Sequence, residues 1–307
     1  MPYRTEGRGS ATMELAVVVA EGARPAAAAW GGYRGRLVES RSGGRTILVN
    51  HVSLEDYVKG VLPGEVPTGW QPAALEAMAI VARTYAWYRW QTRAGDKYQL
   101  MSDTRDQEYC GLRCEEERSN RAVESTRGMV LVFKGAVLPA YCHSCCAGAT
   151  EDVREVWGGS QVRPLGGVRC GMCGKSSHYG PWTWAISRSA LARKLASELG
   201  PAGSVSGIRT MGTTASGRVK SVAISAGSRT ARMSGAKFRS LVGNNELRSA
   251  KFSVRLSGDM VEFRGTGWGH GVGLCQEGAG SMAAKGRTSR EILRRYFPGA
   301  EIRRLKP

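Results

Sequence analysis

Two sets of residues in this sequence are placed to do chemistry: one loop carboxyl, Glu65, and a crowd of cysteines. Glu65 stands in Pro63-Gly64-Glu65-Val66-Pro67, with Trp70 close behind. A carboxyl held among apolar neighbours has a raised pKa and can act as a general acid. Most loop glutamates are simply hydrated, so position alone does not single this one out. The cysteines are Cys110, Cys114, Cys142, Cys145, Cys146, Cys170, Cys173 and Cys275. Seven of these eight fall between 110 and 173, which makes them part of one local structure, either a metal site or a set of disulfides. Cys170-x-x-Cys173 has the spacing of a zinc knuckle, and Cys142-His143-Ser144-Cys145-Cys146 upstream can supply two further ligands. Four protein ligands would close the coordination sphere, so such a zinc would be structural. Oxidised bridges in an exported protein are the competing reading, and Cys110-x-x-x-Cys114 suits a second pair of either kind. A glycine-rich turn, Gly269-His270-Gly271-Val272-Gly273, carries a histidine where positive φ and close backbone approach are permitted.

The elements that must position these groups can be read from pattern. Residues 33–50 form a hairpin turning at Ser42-Gly43-Gly44. A short helix over Leu54–Leu62 starts at Ser53, with Asp56 completing a capping box, and Pro63-Gly64 stop it. A long helix runs from about Pro72 to Arg93, beside the Glu65 loop. Pro72 suits its first position, and Leu75, Met78, Ala79, Ala82 and Ala86 form its buried stripe. It carries Arg83 and Tyr85, which two residues apart point to different sides. Arg83 can hold a sugar or carboxylate, steady Glu65, or serve a salt bridge; Tyr85 lies on the apolar stripe. Downstream, Asn120–Thr126 reads as a helix, and Met129–Phe133 with Ala136–Cys142 as a hairpin through Lys134-Gly135. Ser187–Leu199, Ser234–Val242 and Ser289–Tyr296 are serine-started helices, with strands at Val219–Ser225 and Phe252–Arg264. Without a βαβ rhythm, the expected class is α+β: mixed sheet and hairpins with a long helix beside the active-site loop.

Composition narrows the setting. The chain has 307 residues, 42% hydrophobic and 23% charged, which argues against wholesale disorder. The net charge of +18 suits a polyanionic setting, whether nucleic acid, an anionic membrane surface or acidic wall polymers, and its scatter along the chain reads equally as a plain solvated basic surface. The basic residues are scattered, and neither a reading helix nor an aromatic-rich basic platform is recognisable, so nucleic acid is not expected. No run of 18 apolar residues exists, so no transmembrane segment is expected. Leu15–Ala20 and Ala26–Trp30 are short and are separated by Glu21 and Arg24, which leaves no clear signal peptide. Residues 1–32 are expected to be a flexible leader. Residues 33–307 are expected to form a single domain, with a Cys-rich, zinc-binding region at about 105–180.

The stretch "VNHVSLEDYVKGVLPGEVPTGWQPAALEAMAIVARTYAWY", with Ala82-Arg83-Thr84-Tyr85-Ala86 near its end, resembles the signature of the stage II sporulation protein D and amidase-enhancer (LytB) family. "DQEYCG", "AYCHSCCAGATED", "EVWGG" and "GTGWGHGVGLCQEGAGSMAAKGRTSREILRRYFPGAEI" continue the resemblance in order, over roughly residues 33–303. The resemblance implies lytic transglycosylase chemistry: cleavage of peptidoglycan glycan strands after N-acetylmuramic acid, with formation of a 1,6-anhydro product. Carried over, Glu65 is the acid/base, and Arg83, Tyr85, His270 and Gln276 are substrate-binding candidates. Family members with a His-Ser-x-Cys-Gly-Gly segment imply zinc held here by His143, Cys146, Cys170 and Cys173. The implied partners are glycan strands and a cell-wall amidase, in an extracytoplasmic location. The alternative is a non-catalytic, glycan-binding amidase enhancer; the retained glutamate loop favours the enzyme. Two departures stand out: Cys275-Gln276-Glu277 where many members have Ser then Gln-Tyr, and Ala147 in place of a glycine.

Overall fold

The computed structural model describes residues 13–22, 32–42, 44–174, 176, 178–201 and 203–305. Its architecture is α+β, and the expected domain is built from two compact units. The first comprises Met1–Tyr141, Met282–Arg294 and Gly299–Pro307, the second Cys142–Ser281 and Arg295–Pro298.

In the first unit come β1 (Glu14–Gly22), β2 (Arg36–Ser42), β3 (Arg45–Ser53), α1 (Leu54–Glu65), α2 (Pro72–Thr92), β4 (Leu100–Met101), α3 (Glu117–Ser125), β5 (Met129–Phe133) and β6 (Ala136–Val137). The first strands form a sheet ordered β2-β3-β1-β4. The expected hairpin is β2–β3, in register from Arg36 opposite His51 to Ser42 opposite Arg45; Gly43 of its turn lies outside the described residues. The expectation of a leader is corrected for residues 14–22. They pair antiparallel with β3, Glu14 opposite Ser53, and parallel with β4, Val17 opposite Leu100. Leu15, Ala16, Val17 and Val18 are all buried, so both faces of β1 are covered. Such a strand is a short continuous apolar run rather than an alternating one. That is why its pattern alone does not separate a buried strand from a short apolar piece of leader. Residues 1–12 and Ala26–Trp30 lie outside the described residues.

Helix α1 begins as expected: Ser53 Oγ accepts the Asp56 N–H at 3.3 Å and donates to Asp56 Oδ2 at 2.9 Å. It does not stop at Leu62. Pro63 sits in the last turn, where its missing N–H removes a single bond, and Val66 N–H still closes onto Leu62 O at 3.2 Å. Glu65 is therefore the last residue of a helix rather than the middle of a loop. Helix α2 is buried on more than one stripe, since Ala74, Ala77, Ile80 and Val81 are as covered as Leu75 and Met78. It packs against α1, α3 and β5.

Arg83 ties these elements together. It is fully buried, and its guanidinium grips Glu55 of α1 through Nε at 3.0 Å and an Nη at 2.7 Å. It also donates to Val123 O of α3 at 3.1 Å and Met129 O of β5 at 3.2 Å. Glu55 Oε1 accepts from Gly128 N–H at 3.0 Å, which completes the pair. Removing one member of a buried ion pair strands the other charge in low dielectric. Arg83→Met is expected to cost about 3–5 kcal/mol of unfolding free energy, and Glu55→Leu in the same chain to recover most of it. Denaturant titration of the three proteins checks this; equal midpoints for the single variant and the parent would contradict the assignment.

The second unit begins with β7 (Cys142–His143) and α4 (Val153–Trp157). It continues through β8 (Pro181–Ser187), α5 (Arg188–Lys194), α6 (Ala196–Leu199), β9 (Gly207–Thr213), β10 (Val219–Ala226), β11 (Arg229–Ser234), α7 (Gly235–Val242), β12 (Phe252–Ser257), β13 (Met260–Thr266), β14 (Leu274–Cys275) and α8 (Gln276–Ala284). Two antiparallel sheets, β11-β10-β9 and β12-β13-β8, enclose a core of Leu191, Val222, Ile224, Phe238, Val261 and Phe263. Phe238, Phe252 and Phe263 stack with ring centroids 5.6–6.0 Å apart. The expected helix over Ser187–Leu199 is capped by Ser187 and closed by Gly200 at φ +67°, but it breaks at Leu195. The chain ends with α9 (Ser289–Tyr296) and β15 (Glu301–Arg304), and β15 pairs antiparallel with β5 in the first unit. Among the described residues no helix is long and apolar enough to cross a membrane.

Candidate active site and candidate metal centre

Glu65 closes α1 half-buried, and the Glu108 N–H donates to its Oε1 at 3.1 Å. The segment 102–110 reaches this position because α1 offers it a flat surface. A Cβ on Gly64 would lie 2.7 Å from Glu108 O, so glycine is what lets the two backbones meet. Asp106 anchors the same segment. Its buried carboxylate accepts from Tyr85 Oη at 2.7 Å, Arg89 Nε at 2.9 Å, Arg93 at 3.1 Å and the Met101 N–H at 2.9 Å. Tyr57, one face of α1 behind Glu65, is fully buried; desolvation, helped by the nearby Asp106, Tyr85 and Glu65, pushes its hydroxyl well above the usual phenol range. Burial also raises the Glu108 carboxyl above the ordinary glutamate value, with Asp103 adding to the effect. Cys110 and Cys114 form a disulfide just beyond, around the short turn Gly111–Cys114. This decides between the two sequence readings of that pair.

The substrate-binding candidates fare differently. Arg83 is corrected: a fully buried guanidinium committed to Glu55 and three backbone carbonyls has nothing left to offer a sugar. Tyr85 stands on the Glu65 side of its unit, but its hydroxyl is spent on Asp106 and its ring lies 5.9 Å from Tyr141. Its role is to hold Asp106. His270 and Gln276 belong to the second unit. His270 is half-buried; its Nδ1 accepts the Val272 N–H at 3.1 Å. Burial, with the charge of Arg239, lowers its pKa to about 3, so the ring is neutral near pH 7. A neutral imidazole can hydrogen-bond but cannot deliver a proton as imidazolium. Gln276 is 7% exposed, with Nε2 3.8 Å from Cys142 Sγ, and presents no open amide to a ligand.

The thiols of Cys146, Cys170, Cys173 and Cys275 converge, all buried, with the four sulfurs within 4.8 Å of one another. Cys146 and Cys173 Sγ are 3.5 Å apart and Cys170 and Cys173 Sγ 3.9 Å. Tetrahedral ligation at about 2.3 Å per sulfur requires sulfurs about 3.8 Å apart, so the group fits a soft four-coordinate metal. Polar groups lie against two of the sulfurs. Cys146 N–H and Gly278 N–H point at Cys275 Sγ at 3.3 and 3.4 Å, and Tyr296 Oη lies 3.1 Å from Cys170 Sγ. A hydrogen bond with Cys146 draws the Cys170 thiol down to about 6, whereas burial holds Cys275 well above the usual range. Four adjacent sulfurs cannot all shed protons without a cation to share. Arg218, which sequence reasoning missed, supplies buried positive charge next to them. It is 2% exposed and donates to Cys146 O and Ala149 O at 3.1 Å each, and to Ser216 Oγ at 2.9 Å. Gly271, at φ +90°, lies where any Cβ would collide with that guanidinium, which accounts for one glycine of the Gly-His-Gly-Val-Gly turn.

This set differs from the expected one by a single ligand: Cys275 stands where His143 was expected. His143 is buried one strand away, with Nδ1 3.1 Å from Val272 O, and among the described residues its Nε2 meets no hydrogen-bond partner. Desolvation holds its pKa well below 6.5. The exchange follows from parallel pairing of β7 with β14, Leu274 opposite Cys142 and Cys275 opposite His143. Spacing along the chain does not reveal a partner 129 residues away.

Comparison with known proteins identifies the family. Residues 42–133 match the family model for "Stage II sporulation protein", and residues 173–273 match a domain of unknown function, DUF8618. An uncharacterized protein of Brachyspira hyodysenteriae is 34% identical over 271 residues, covering 88% of this chain and 72% of that protein. Stage II sporulation protein D of Bacillus subtilis is 28% identical, covering 83% of this chain and 75% of the relative. The amidase enhancer of Bacillus subtilis is 26% identical, covering 80% of this chain but 40% of the longer relative. With the segment bearing Glu65, Arg83, Tyr85 and Asp106 inside the matched region, the chain belongs to the stage II sporulation protein D and amidase-enhancer (SpoIID/LytB) family.

Proposed function

We propose that this chain is a peptidoglycan lytic transglycosylase with Glu65 as its acid/base, acting in sporulation or cell-wall remodelling. The observation that carries the reading is the Glu65 carboxyl, half-buried at the end of α1 and held at one oxygen by the Glu108 N–H. One carboxyl is enough for this reaction. It gives its proton to the glycosidic oxygen as the C1–O bond breaks. The 6-hydroxyl oxygen of the same muramic ring then bonds to C1, and its proton returns to the carboxylate. No water is consumed, so the second carboxylate that hydrolysing glycosidases need has no role here. The names of the relatives, a sporulation protein and an amidase enhancer, support a substrate in the wall. The Cys110–Cys114 disulfide and the net charge of +18 support an oxidising, polyanion-rich compartment outside the membrane. Zinc is the metal that best suits Cys146, Cys170, Cys173 and Cys275; four protein ligands leave no open position, so it would brace the second unit. Mass spectrometry of purified glycan strands after incubation with the protein tests the activity. Anhydro-muramic ends, one water lighter than hydrolysed ends, are expected; ordinary reducing ends would sink it.

The similarity to an amidase enhancer favours one second reading: a module that grips glycan and stimulates a separate cell-wall amidase. Binding without any cleavage, together with faster release of stem peptides by an added amidase, would select it.

A further inference from the structure

The second unit contains a groove of about 850 Å³ that lies outside the cysteine cluster. Its lining includes Arg154 and Trp157 from α4 and Met211, Lys220, Arg232 and Met233 from the β9-β10-β11 sheet. This is within the size range of sites that hold small ligands or single sugar units. We propose that the groove binds an acidic sugar residue of a glycan strand. Trp157 stacks on the pyranose ring, and Lys220 and Arg232 hold its carboxylate. The inference rests on the reading of the protein as glycan-acting.

Trp157 carries the first part of the argument. It is 52% exposed, a large aromatic surface left in water. It is nevertheless held in place. Asp152 caps α4 by accepting the Arg154 N–H at 2.8 Å, and the indole lies against the His270 ring at 5.0 Å. A fixed, exposed indole face covers the axial C–H groups of a pyranose without needing hydrogen bonds. The lining also includes Gly212, Ser221 and Ser234, small enough to leave room for a ring, with two hydroxyls able to meet those of a sugar.

The charges carry the second part. Arg154 is already paired with Asp152 at 2.7 Å. Lys220 and Arg232 are exposed, and among the described residues neither has an acidic side chain within ion-pair distance; the Arg232 guanidinium reaches Ser221 Oγ at 3.5 Å. Glu155 is the one acid among the lining residues. A guanidinium and an ammonium flanking a stacked ring match a carboxylate carried on a sugar.

The test is calorimetric binding on the Glu65→Gln background, which stops turnover. Two peptide-free oligomers of equal length are compared: alternating N-acetylglucosamine and N-acetylmuramic acid, and N-acetylglucosamine alone. The acidic oligomer is expected to bind about tenfold tighter, the effect of one charge-assisted hydrogen bond. Trp157→Ala should weaken both oligomers by about tenfold, and Trp157→Phe should restore most of the loss. The Lys220→Ser/Arg232→Ser variant should bind the acidic oligomer no better than the neutral one. All three positions lie on the groove surface, and thermal melts confirm folding. If the parent binds and Trp157→Ala binds equally well, or if the charge variant weakens both oligomers alike, the groove assignment falls while the proposed function stands. If the parent binds neither oligomer, the proposed function falls and takes the groove with it. Tighter binding of a single-stranded oligonucleotide, lost in Trp157→Ala, would also overturn the assignment.

Discussion

Glu65→Gln is expected to lower the rate of anhydro-muramic end formation by roughly 100- to 10,000-fold, the usual worth of general acid–base help. The amide keeps the shape of the side chain, and its oxygen can still accept the Glu108 N–H that now reaches Oε1 at 3.1 Å. It can neither give a proton to the leaving oxygen nor take one from the 6-hydroxyl. The thermal midpoint should therefore stay close to the parent's while product formation disappears. Glu108 is the control. Burial raises its carboxyl above the ordinary glutamate value, which makes it the obvious rival acid, but the contact seen with Glu65 comes from its backbone. Glu108→Gln should keep the activity. Retained cleavage in Glu65→Gln, or its loss in Glu108→Gln with Glu65 intact, would move the chemistry to the other carboxyl.

The second large effect concerns the metal centre. The purified protein should carry about one zinc per chain, and Cys275→Ser should lose it, whereas His143→Gln should keep it. Metal analysis by plasma mass spectrometry separates the two outcomes. The reason is geometric: the sulfur of Cys275 lies within 4.8 Å of the three other sulfurs, and neither nitrogen of His143 joins that group. Coupled binding and folding at structural zinc sites is worth on the order of 10 kcal/mol. A strong chelator should therefore lower the melting temperature markedly in the parent and hardly at all in Cys275→Ser. Loss of zinc in His143→Gln with full zinc in Cys275→Ser would restore the ligand set expected from spacing. Sulfurs found joined in disulfides, with no metal bound, would dismiss the centre altogether.

Local grammar made much of the first unit legible. Ser53 with Asp56 announced the start of α1, and Pro72 that of α2. Lys134-Gly135, both at positive φ, turn β5 into β6. In the second unit, Gly200 likewise ends α6 at positive φ. These signals are carried by neighbouring residues, so they survive without knowledge of the fold. Glu65 was singled out by resemblance, because a loop glutamate carries no local mark of catalysis.

What tertiary structure alone decided lies at long separations. Residues 14–22 became a strand because β3 and β4 flank them, and a run of apolar residues does not say what will cover it. Arg83 became a buried tie rather than a sugar ligand because Glu55, Val123 and Met129 converge on it from three other elements. Asp106 and Arg218 went unnoticed for the same reason: a buried charge is identified by partners that the fold gathers. Cys275 replaced His143 because the parallel pairing of β7 with β14 brings its sulfur to Cys146, 129 residues earlier. Spacing rules describe ligands that share a turn or a hairpin; a ligand delivered by sheet pairing is set by backbone hydrogen bonds between distant strands, and those leave no trace in the spacing of the cysteines themselves.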